Sequence, residues 1–191
     1  MPAIQLNHAG RKASTGCFAV GYDGQSVPEE AGGWPTMAPS EIAFGGLRTP
    51  RALSVDEIHG LVGAFAAAAG RAVAAGFQAI QIHAAHGYLI SQFLDPLSNE
   101  RDDEYGGDLT GRSRFLVEVV DAVRGAVPEG VPVLVRISAT DWAAGGWDLD
   151  QTIALSKVLK EHGVDVMDVS TGGIMSGCLL YTSDAADDMQ C

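Results

Sequence analysis

Segments typical of helices and of strands alternate along most of this chain, and this alternation constrains its fold more than any other feature. A helical pattern of apolar residues from Ile58 to Val73 is followed by a strand-like segment at 77–83. The same order of helix and strand then recurs along the chain. Strands that are joined through helices run parallel and use right-handed crossovers. The expected strands are residues 3–6, 77–83, 132–138 and 164–169.

Capping residues mark where the expected helices begin and end. Ser54 and Glu57 form a capping box, in which the serine oxygen accepts a backbone N–H group and the glutamate carboxylate reaches back. Gly76 ends this helix because glycine adopts the left-handed conformation easily. Apolar residues at 115–123 indicate a second helix, and Asp148 is expected to cap a third.

Polar residues near the strand ends decide between two parallel α/β folds. A doubly wound sheet and a (β/α)8 barrel both fit the order of the elements. His83, Arg136 and Ser170 all lie at or near the carboxyl ends of expected strands. Barrel enzymes build their sites from several strands at this rim. We therefore expect an α/β fold of the TIM-barrel class, in which the Gly- and Pro-rich residues 8–51 form a functional loop.

The charge balance and the cysteine pattern exclude several classes of protein. The 24 acidic and 12 basic residues give a formal charge of −12, without a basic cluster that would bind nucleic acid. No apolar stretch approaches the roughly 20 residues that a membrane span requires, and the first residues do not resemble a secretory signal. The three cysteines form no CxxC pair and predict no disulfide framework. These features predict a protein of the cytoplasm.

The segment His83-Ala-Ala-His86-Gly-Tyr88 carries the strongest chemical signal. Two imidazoles that lie three residues apart, just after a strand, can both point into a barrel mouth together with a tyrosine. Three interpretations stay open on spacing alone. The histidines could form a metal pair, completed by an acid from residues 102–104. They could also form a neutral hydrogen-bonding pair, or belong to the core.

Arg136 is the second polar residue that calls for an explanation. It interrupts the apolar strand Val133-Leu-Val-Arg-Ile-Ser138, and a buried charge needs an ion-pair partner or a ligand. Gln5, in the first strand, adds an amide group at the same rim. No GxGxxG motif follows a strand, so Rossmann-type dinucleotide binding has no support.

Several segments, in order along the chain, strongly resemble one enzyme family. They are Gln5-Leu-Asn-His-Ala-Gly-Arg-Lys12, Ile82-His-Ala-Ala-His-Gly-Tyr-Leu89, Phe93-Leu-Asp-Pro-Leu-Ser-Asn-Glu-Arg101 and Asp103-Glu-Tyr-Gly-Gly107. In this combination they resemble the Old Yellow Enzyme family, and in particular its bacterial NADPH dehydrogenase branch. The resemblance covers about residues 2–177. It implies a barrel of eight strands that holds FMN, of which this chain spans about strands three to six.

The resemblance also implies a role for each residue at the rim. Gln5 and Arg136 are similar to the residues that bind the pyrimidine edge of FMN. His83 and His86 are similar to the pair that binds the carbonyl oxygen of an α,β-unsaturated substrate, which favours a hydrogen-bonding pair over a metal site. Tyr88 is similar to the acid that protonates the α-carbon, while hydride reaches the β-carbon from the flavin. NAD(P)H is then the expected electron donor, and a small enone the expected substrate.

Expectations for the extent of the domain follow from the same resemblance. Residues 1–177 would form an incomplete FMN-binding barrel domain that lacks the family's strands one, two, seven and eight. Residues 178–191 resemble a translated sequencing adapter and are expected to be an artefactual tail. Such a fragment is expected to be inactive alone.

Two alternatives stay open at this point. The parent enzyme could be a dienoyl-CoA reductase-like or amine dehydrogenase-like flavoenzyme with further cofactor domains. In a different class, the chain could be a non-catalytic barrel fragment that binds no flavin. The sequence also leaves open whether the parent enzyme is a homo-oligomer.

Overall fold

Six strands and four helices make up the fold, which is described for residues 1–16 and 24–176 by a computed structural model. The strands are β1 (Ala3–Leu6), β2 (Met37–Ala38), β3 (Arg51–Ala52), β4 (Ala79–Ala84), β5 (Val133–Ser138) and β6 (Val166–Ser170). The helices are α1 (Val55–Ala74), α2 (Leu89–Leu94), α3 (Leu109–Ala126) and α4 (Leu149–Glu161), with 3₁₀ turns at Gly10–Lys12 and Glu29–Ala31. The predicted tail at 178–191 lies outside the described residues.

The main sheet contains four strands in the order β1-β4-β5-β6, and every neighbouring pair is parallel. The four strands predicted from the sequence are therefore confirmed, with their starts shifted by at most two residues. β2 and β3 pair with each other in a second, two-stranded parallel sheet. This small sheet involves the segment that was expected to be a loop without regular structure, at residues 8–51.

The predicted helix caps are confirmed. The Ser54 hydroxyl accepts the backbone N–H of Glu57, and the Glu57 carboxylate accepts the backbone N–H of Ser54 at 2.9 Å. The Asp148 carboxylate accepts the backbone N–H of Gln151 at the start of α4. Gly76 follows α1 with a φ of 96°. None of the helices within the described ranges is long and apolar enough to span a lipid bilayer.

The main sheet has an apolar and a polar face because side chains alternate along each strand. Ile80 and Ile82 of β4 are fully buried on the apolar face, together with Val135 of β5. α1 packs against β1 and β4, and α3 packs against β5. The helices contribute Phe65 and Phe115 to this hydrophobic core. The opposite face of the sheet carries the polar residues.

The strand order and the helix layer are those of a barrel rather than of a doubly wound sheet. A doubly wound sheet reverses its strand order at a switch point and carries helices on both faces. Here consecutive strands of the sheet are neighbours throughout, and α1 and α3 pack against each other. On the polar face, Gln81 Nε2 on β4 reaches Asp168 Oδ2 on β6 across β5 at 2.9 Å. The predicted partial TIM barrel is therefore confirmed.

α2 is not predicted from the sequence, although this helix supports the candidate site. All six of its residues are buried, so the segment lacks the amphipathic period that indicates a helix. Phe93 of α2 packs against Phe115 of α3, with ring centroids 4.7 Å apart, and against Tyr105 at 6.3 Å. α2 begins directly after Tyr88, so its packing fixes the backbone of that residue.

We expect Phe93→Ala to lower the free energy of unfolding by about 3–5 kcal/mol, because it leaves a cavity between α2 and α3. Ile153→Ala on α4 serves as the control, since Ile153 is 46% exposed. Its effect should be about 1 kcal/mol or less. Urea unfolding curves would measure both variants. Equal losses in the two variants would contradict the packing of α2 described here.

Candidate active site

The polar face of the main sheet brings together residues from all four strands. Gln5 is the register partner of Gln81, and His83 is the register partner of Arg136. Arg136 in turn pairs with Asp168 of β6. The sequence places His83 and Arg136 on one rim, and the structure confirms this because the two residues lie side by side.

A chain of polar contacts connects β1 to β6 across this face. Gln5 Nε2 donates to Gln81 Oε1 at 2.7 Å, and Gln81 Nε2 donates to Asp168 Oδ2 at 2.9 Å. No functional role is predicted for Gln81 and Asp168 from the sequence. Strand alternation could have identified them as site residues, because Gln81 lies two residues before His83 and Asp168 two residues before Ser170. Each therefore faces the same side of the sheet as its rim residue.

Arg136 retains hydrogen-bonding capacity on the polar face. Its guanidinium lies 3.6 Å from Asp168, and its side chain is 36% exposed. Its Nε is buried and has no hydrogen-bond partner among the described residues. A buried donor without a partner is costly, and such atoms in native proteins call for a ligand or another explanation. Together with the exposed amide of Gln5, this donor fits a group rich in acceptors, as the pyrimidine edge of FMN is.

His83 is a buried, neutral imidazole with a defined tautomer. His83 is only 5% exposed, and its Nδ1 accepts the backbone N–H of Ala85 at 3.1 Å. The ring proton therefore resides on Nε2. Burial, and then the neighbouring His86 and Arg136, lower the pKa of His83 to about 4. At neutral pH this ring presents one N–H donor and no charge.

His86 lies beside His83 and is held by serines from two other strands. The two ring centroids are 5.2 Å apart and the rings are nearly perpendicular, at 88°. The His86 backbone N–H donates to Ser138 Oγ at 3.0 Å, and its Nε2 lies 2.7 Å from Ser170 Oγ. Burial, followed by the charge of Arg136, lowers the pKa of His86. When Ser170 donates to Nε2, the proton of the neutral His86 ring is on Nδ1.

The backbone between the two site residues His86 and Tyr88 forms a left-handed corner. His86 and Gly87 have φ values of 58° and 67°. Lys12 Nζ donates to the His86 carbonyl oxygen at 2.7 Å. The Gly87 N–H donates to Ser91 Oγ, and Gln92 Nε2 donates to the Gly87 carbonyl oxygen at 2.8 Å. Side chains thus satisfy the backbone polar groups of a conformation that costs energy for a residue other than glycine.

Two glycines allow this corner to approach the loop after β6. A Cβ atom at Gly87 would lie 2.2 Å from the Gly173 carbonyl oxygen. A Cβ atom at Gly173 would lie 2.5 Å from the Cα of His86. Both distances are far shorter than van der Waals contact allows, so neither position accommodates a side chain. The close backbone approach thus explains why position 173 is a glycine.

Tyr88 lies next to the histidine pair, as the segment His83–Tyr88 predicts. Its ring centroid lies 5.1 Å from that of His83, at an angle of 77°. His83, His86 and Tyr88 therefore meet at one point of the rim. Among the described residues, no three His, Cys, Asp or Glu side chains are placed to hold a metal ion. Asp103, one of the acids that could have completed a metal pair, instead accepts hydrogen bonds from Arg101.

Comparisons with known sequences point to one family. A profile of the NADH:flavin oxidoreductase / NADH oxidase family matches residues 2–183. NADH:flavin oxidoreductase FG08077 of Gibberella zeae is 48% identical over 186 residues, which are 90% of this chain and 45% of that protein. The NADPH dehydrogenase of Clostridium acetobutylicum is 48% identical over 174 residues, which are 90% of this chain and 46% of that protein. The chain thus spans about half the length of the curated relatives it matches.

Solved structures give the same result for the fold. Morphinone reductase in complex with tetrahydroNAD aligns with a TM-score of 0.71 at 31% identity, over 87% of this chain and 48% of that one. A complex of 2-naphthoyl-CoA reductase with 2-naphthoyl-CoA aligns with a TM-score of 0.76 at 25% identity, over 89% of this chain and 26% of that one. Each alignment covers most of this chain but less than half of the solved chain.

The low pKa of His83 predicts a specific loss of stability in acid. The folded pKa of about 4 lies below the value of about 6.5 that an unperturbed histidine has, so the stability that neutral His83 contributes is complete above about pH 6.5 and is lost as the pH falls toward 4. His83→Gln removes this titration. Between pH 7 and pH 5, the wild-type chain should lose on the order of 1 kcal/mol more free energy of unfolding than His83→Gln does. Equal losses in urea unfolding would contradict the neutral, buried imidazole.

Proposed function

Because the chain belongs to the NADH:flavin oxidoreductase / NADH oxidase family, we propose that it supplies the substrate-binding and proton-donating residues of an FMN-dependent reductase of activated alkenes. The proposed substrates are small α,β-unsaturated carbonyl compounds, and NAD(P)H is the proposed electron donor. The convergence of His83, His86 and Tyr88 on one rim of the barrel carries this proposal.

Gln5 and Arg136 would hold the cofactor. The buried, unpartnered Nε of Arg136 and the exposed amide of Gln5 offer donors on the same polar face. FMN, when bound, supplies the two-electron chemistry that takes hydride from NAD(P)H and passes it to the substrate β-carbon. The guanidinium of Arg136 also brings positive charge, which favours an electron-rich ligand at this position.

The two imidazoles are suited to hold the carbonyl oxygen of the substrate. His83 presents Nε2–H, and His86 presents Nδ1–H when Ser170 donates to its Nε2. As the alkene is reduced, negative charge develops on the carbonyl oxygen, and each preorganised N–H donor then stabilises the transition state by about 3 kcal/mol. Because the pKa of each imidazole is lowered, both remain neutral donors rather than becoming cations.

Tyr88 is the proposed proton donor. Its ring lies against His83, which would let the phenol and the two imidazoles contact the same bound molecule. The phenol O–H bond breaks as its proton goes to the α-carbon, while the β-carbon takes the hydride. The net result is the addition of one hydrogen to each carbon of the double bond. Solvent then returns a proton to Tyr88.

The structural likeness to 2-naphthoyl-CoA reductase favours a second candidate substrate class. In this alternative the oxygen between His83 and His86 would belong to a conjugated CoA thioester rather than to a free ketone or aldehyde. The same residues would act on it in the same way. Comparing the rate of flavin reoxidation by a free enone with that by an unsaturated acyl-CoA would separate the two classes.

We expect Tyr88→Phe to slow the reoxidation of bound flavin by an enone about 10²–10⁴-fold, because general-acid catalysis contributes this much. Flavin reduction by NADPH should stay nearly unchanged, since that step requires no proton from Tyr88. Stopped-flow absorbance of the complete, FMN-loaded parent enzyme measures the two half-reactions separately. A variant that slows only the reductive half-reaction would show that Tyr88 is not the proton donor.

The double variant His83→Ala with His86→Ala is the contrasting case. It should weaken enone binding and slow reoxidation together, since both the bound substrate and the transition state lose their oxygen contacts. A measurement of flavin binding by the unmodified chain precedes these kinetics. The chain is incubated with FMN and its flavin absorbance is recorded after gel filtration. A barrel fragment that binds no flavin, the remaining alternative, would emerge colourless.

A further inference from the structure

Lys12 lies at the centre of the corner that presents His86 and Tyr88, yet the proposed reaction gives it no role. It ends the 3₁₀ turn Gly10–Lys12, shortly after β1. Its Nζ donates to the His86 carbonyl oxygen at 2.7 Å and to the Gly173 carbonyl oxygen at 2.5 Å. These carbonyls belong to the loops after β4 and β6. One ammonium group therefore ties three segments of the rim together.

The same ammonium lies over two aromatic rings. Nζ is 4.0 Å from the centroid of the Phe44 ring and 5.3 Å from that of the Tyr88 ring. A cation within about 6 Å of a ring centroid is attracted to the face of the ring. Tyr88 thus contacts both the His83 ring and the Lys12 ammonium.

The turn that carries Lys12 has little freedom to move. Arg11 is buried, and its guanidinium donates to the Ile174 carbonyl oxygen at 2.7 Å. The Arg11 backbone N–H donates to Gln92 Oε1. A Cβ atom at Gly10 would lie only 2.5 Å from the Gln92 side chain, so the turn fits closely against α2. The backbone of Lys12 is therefore held in place by the contacts of its own turn.

We propose that Lys12 is a positioning residue for the proposed reaction, on which this inference rests. Its ammonium fixes the His86–Gly87 corner and the face of the Tyr88 ring, so that the oxygen-binding imidazole and the phenol keep their relative placement. Removing the ammonium would leave two carbonyls without their donor and one side of the Tyr88 ring without its contact.

The charge of Lys12 depends on pH in an accessible range. Burial, and then the charge of Arg11, lower the pKa of Lys12 to about 8, while Asp141 opposes this shift. Burial and the neighbouring Asp95 raise the pKa of Asp141 to about 8 as well. His83 and His86 also face Lys12, and both stay neutral in this range. The ammonium is therefore lost as the pH rises through about 8.

Amide hydrogen exchange tests whether Lys12 stabilises the His86–Gly87 corner, and it requires no bound flavin. In Lys12→Met, the amides of His86 and Gly87 should exchange at least about tenfold faster than in the wild-type chain. Lys12→Arg should restore part of the protection, because it keeps the charge but has a different shape. Lys157→Met, an exposed position on α4, is the matched control and should leave these amides unchanged.

Stopped-flow kinetics of the complete, FMN-loaded parent enzyme tests the consequence for the reaction. Lys12→Met should slow reoxidation by an enone about 10–100-fold, because a small misplacement of reacting groups has effects of this size. Reduction by NADPH should change less than about threefold, because that half-reaction does not use the His86–Gly87 corner. The wild-type rate of reoxidation should fall above about pH 8, and this decline should be absent in Lys12→Met. Asp141→Asn should retain the decline and move it to lower pH.

The inference is overturned if the corner amides of Lys12→Met exchange at the wild-type rate, or if both half-reactions slow equally. Should Lys12→Met fail to fold, the wild-type chain decides the question. Its corner amides must then lose protection relative to the core amide of Val135 as the pH rises through about 8, after correction for intrinsic exchange. A wild-type protein that does not reduce enones at all would refute the proposed function, whereas the exchange data would still decide what Lys12 does.

Discussion

The close approach of the His86–Gly87 corner to Gly173 is the constraint on which the site depends. A Cβ atom at either glycine would overlap backbone atoms of the other loop, so the two loops meet only because both positions lack a side chain. The approach joins the loop after β4 to the loop after β6 across β5. It places His86 Nε2 beside Ser170 and orients the residue that follows, Tyr88, at the start of α2. The contact therefore fixes the segment that carries both His86 and Tyr88 against the loop after β6, while His83 is held by β4 itself.

The electrostatics of the rim contrasts with the acidic character of the chain. The formal charge is −12, yet Lys12 and Arg136 both lie near the histidine pair and, with burial, keep its imidazoles neutral. Asp168 balances part of this positive charge at 3.6 Å from Arg136. A group of neutral donors surrounded by cations stabilises negative charge that develops on a ligand oxygen, without binding that oxygen too tightly beforehand. This is the property that reduction of an activated alkene requires.

Periodicity predicts much of the fold, whereas the contacts that shape the site depend on the whole sheet. The alternation of helix and strand and the caps at Ser54 and Asp148 are local signals, and they place the strands to within two residues. α2 escapes prediction because it is buried on every side. The bond from Lys12 to His86 joins residues 74 positions apart, and no local pattern indicates it. Spacing alone also leaves the histidine pair open between a metal site and a hydrogen-bonding pair, and only the family resemblance assigns roles to its members.

A crystal structure of the complete, FMN-loaded parent enzyme with a bound cyclic enone would decide whether the histidine pair binds the substrate oxygen. We expect the carbonyl oxygen to lie about 2.7–3.2 Å from His83 Nε2 and from a ring nitrogen of His86. We also expect the substrate α-carbon to be the ring atom that faces the Tyr88 hydroxyl. An enone whose oxygen lies away from both imidazoles, or a metal ion held between them, would show that the pair does not bind the substrate in this way.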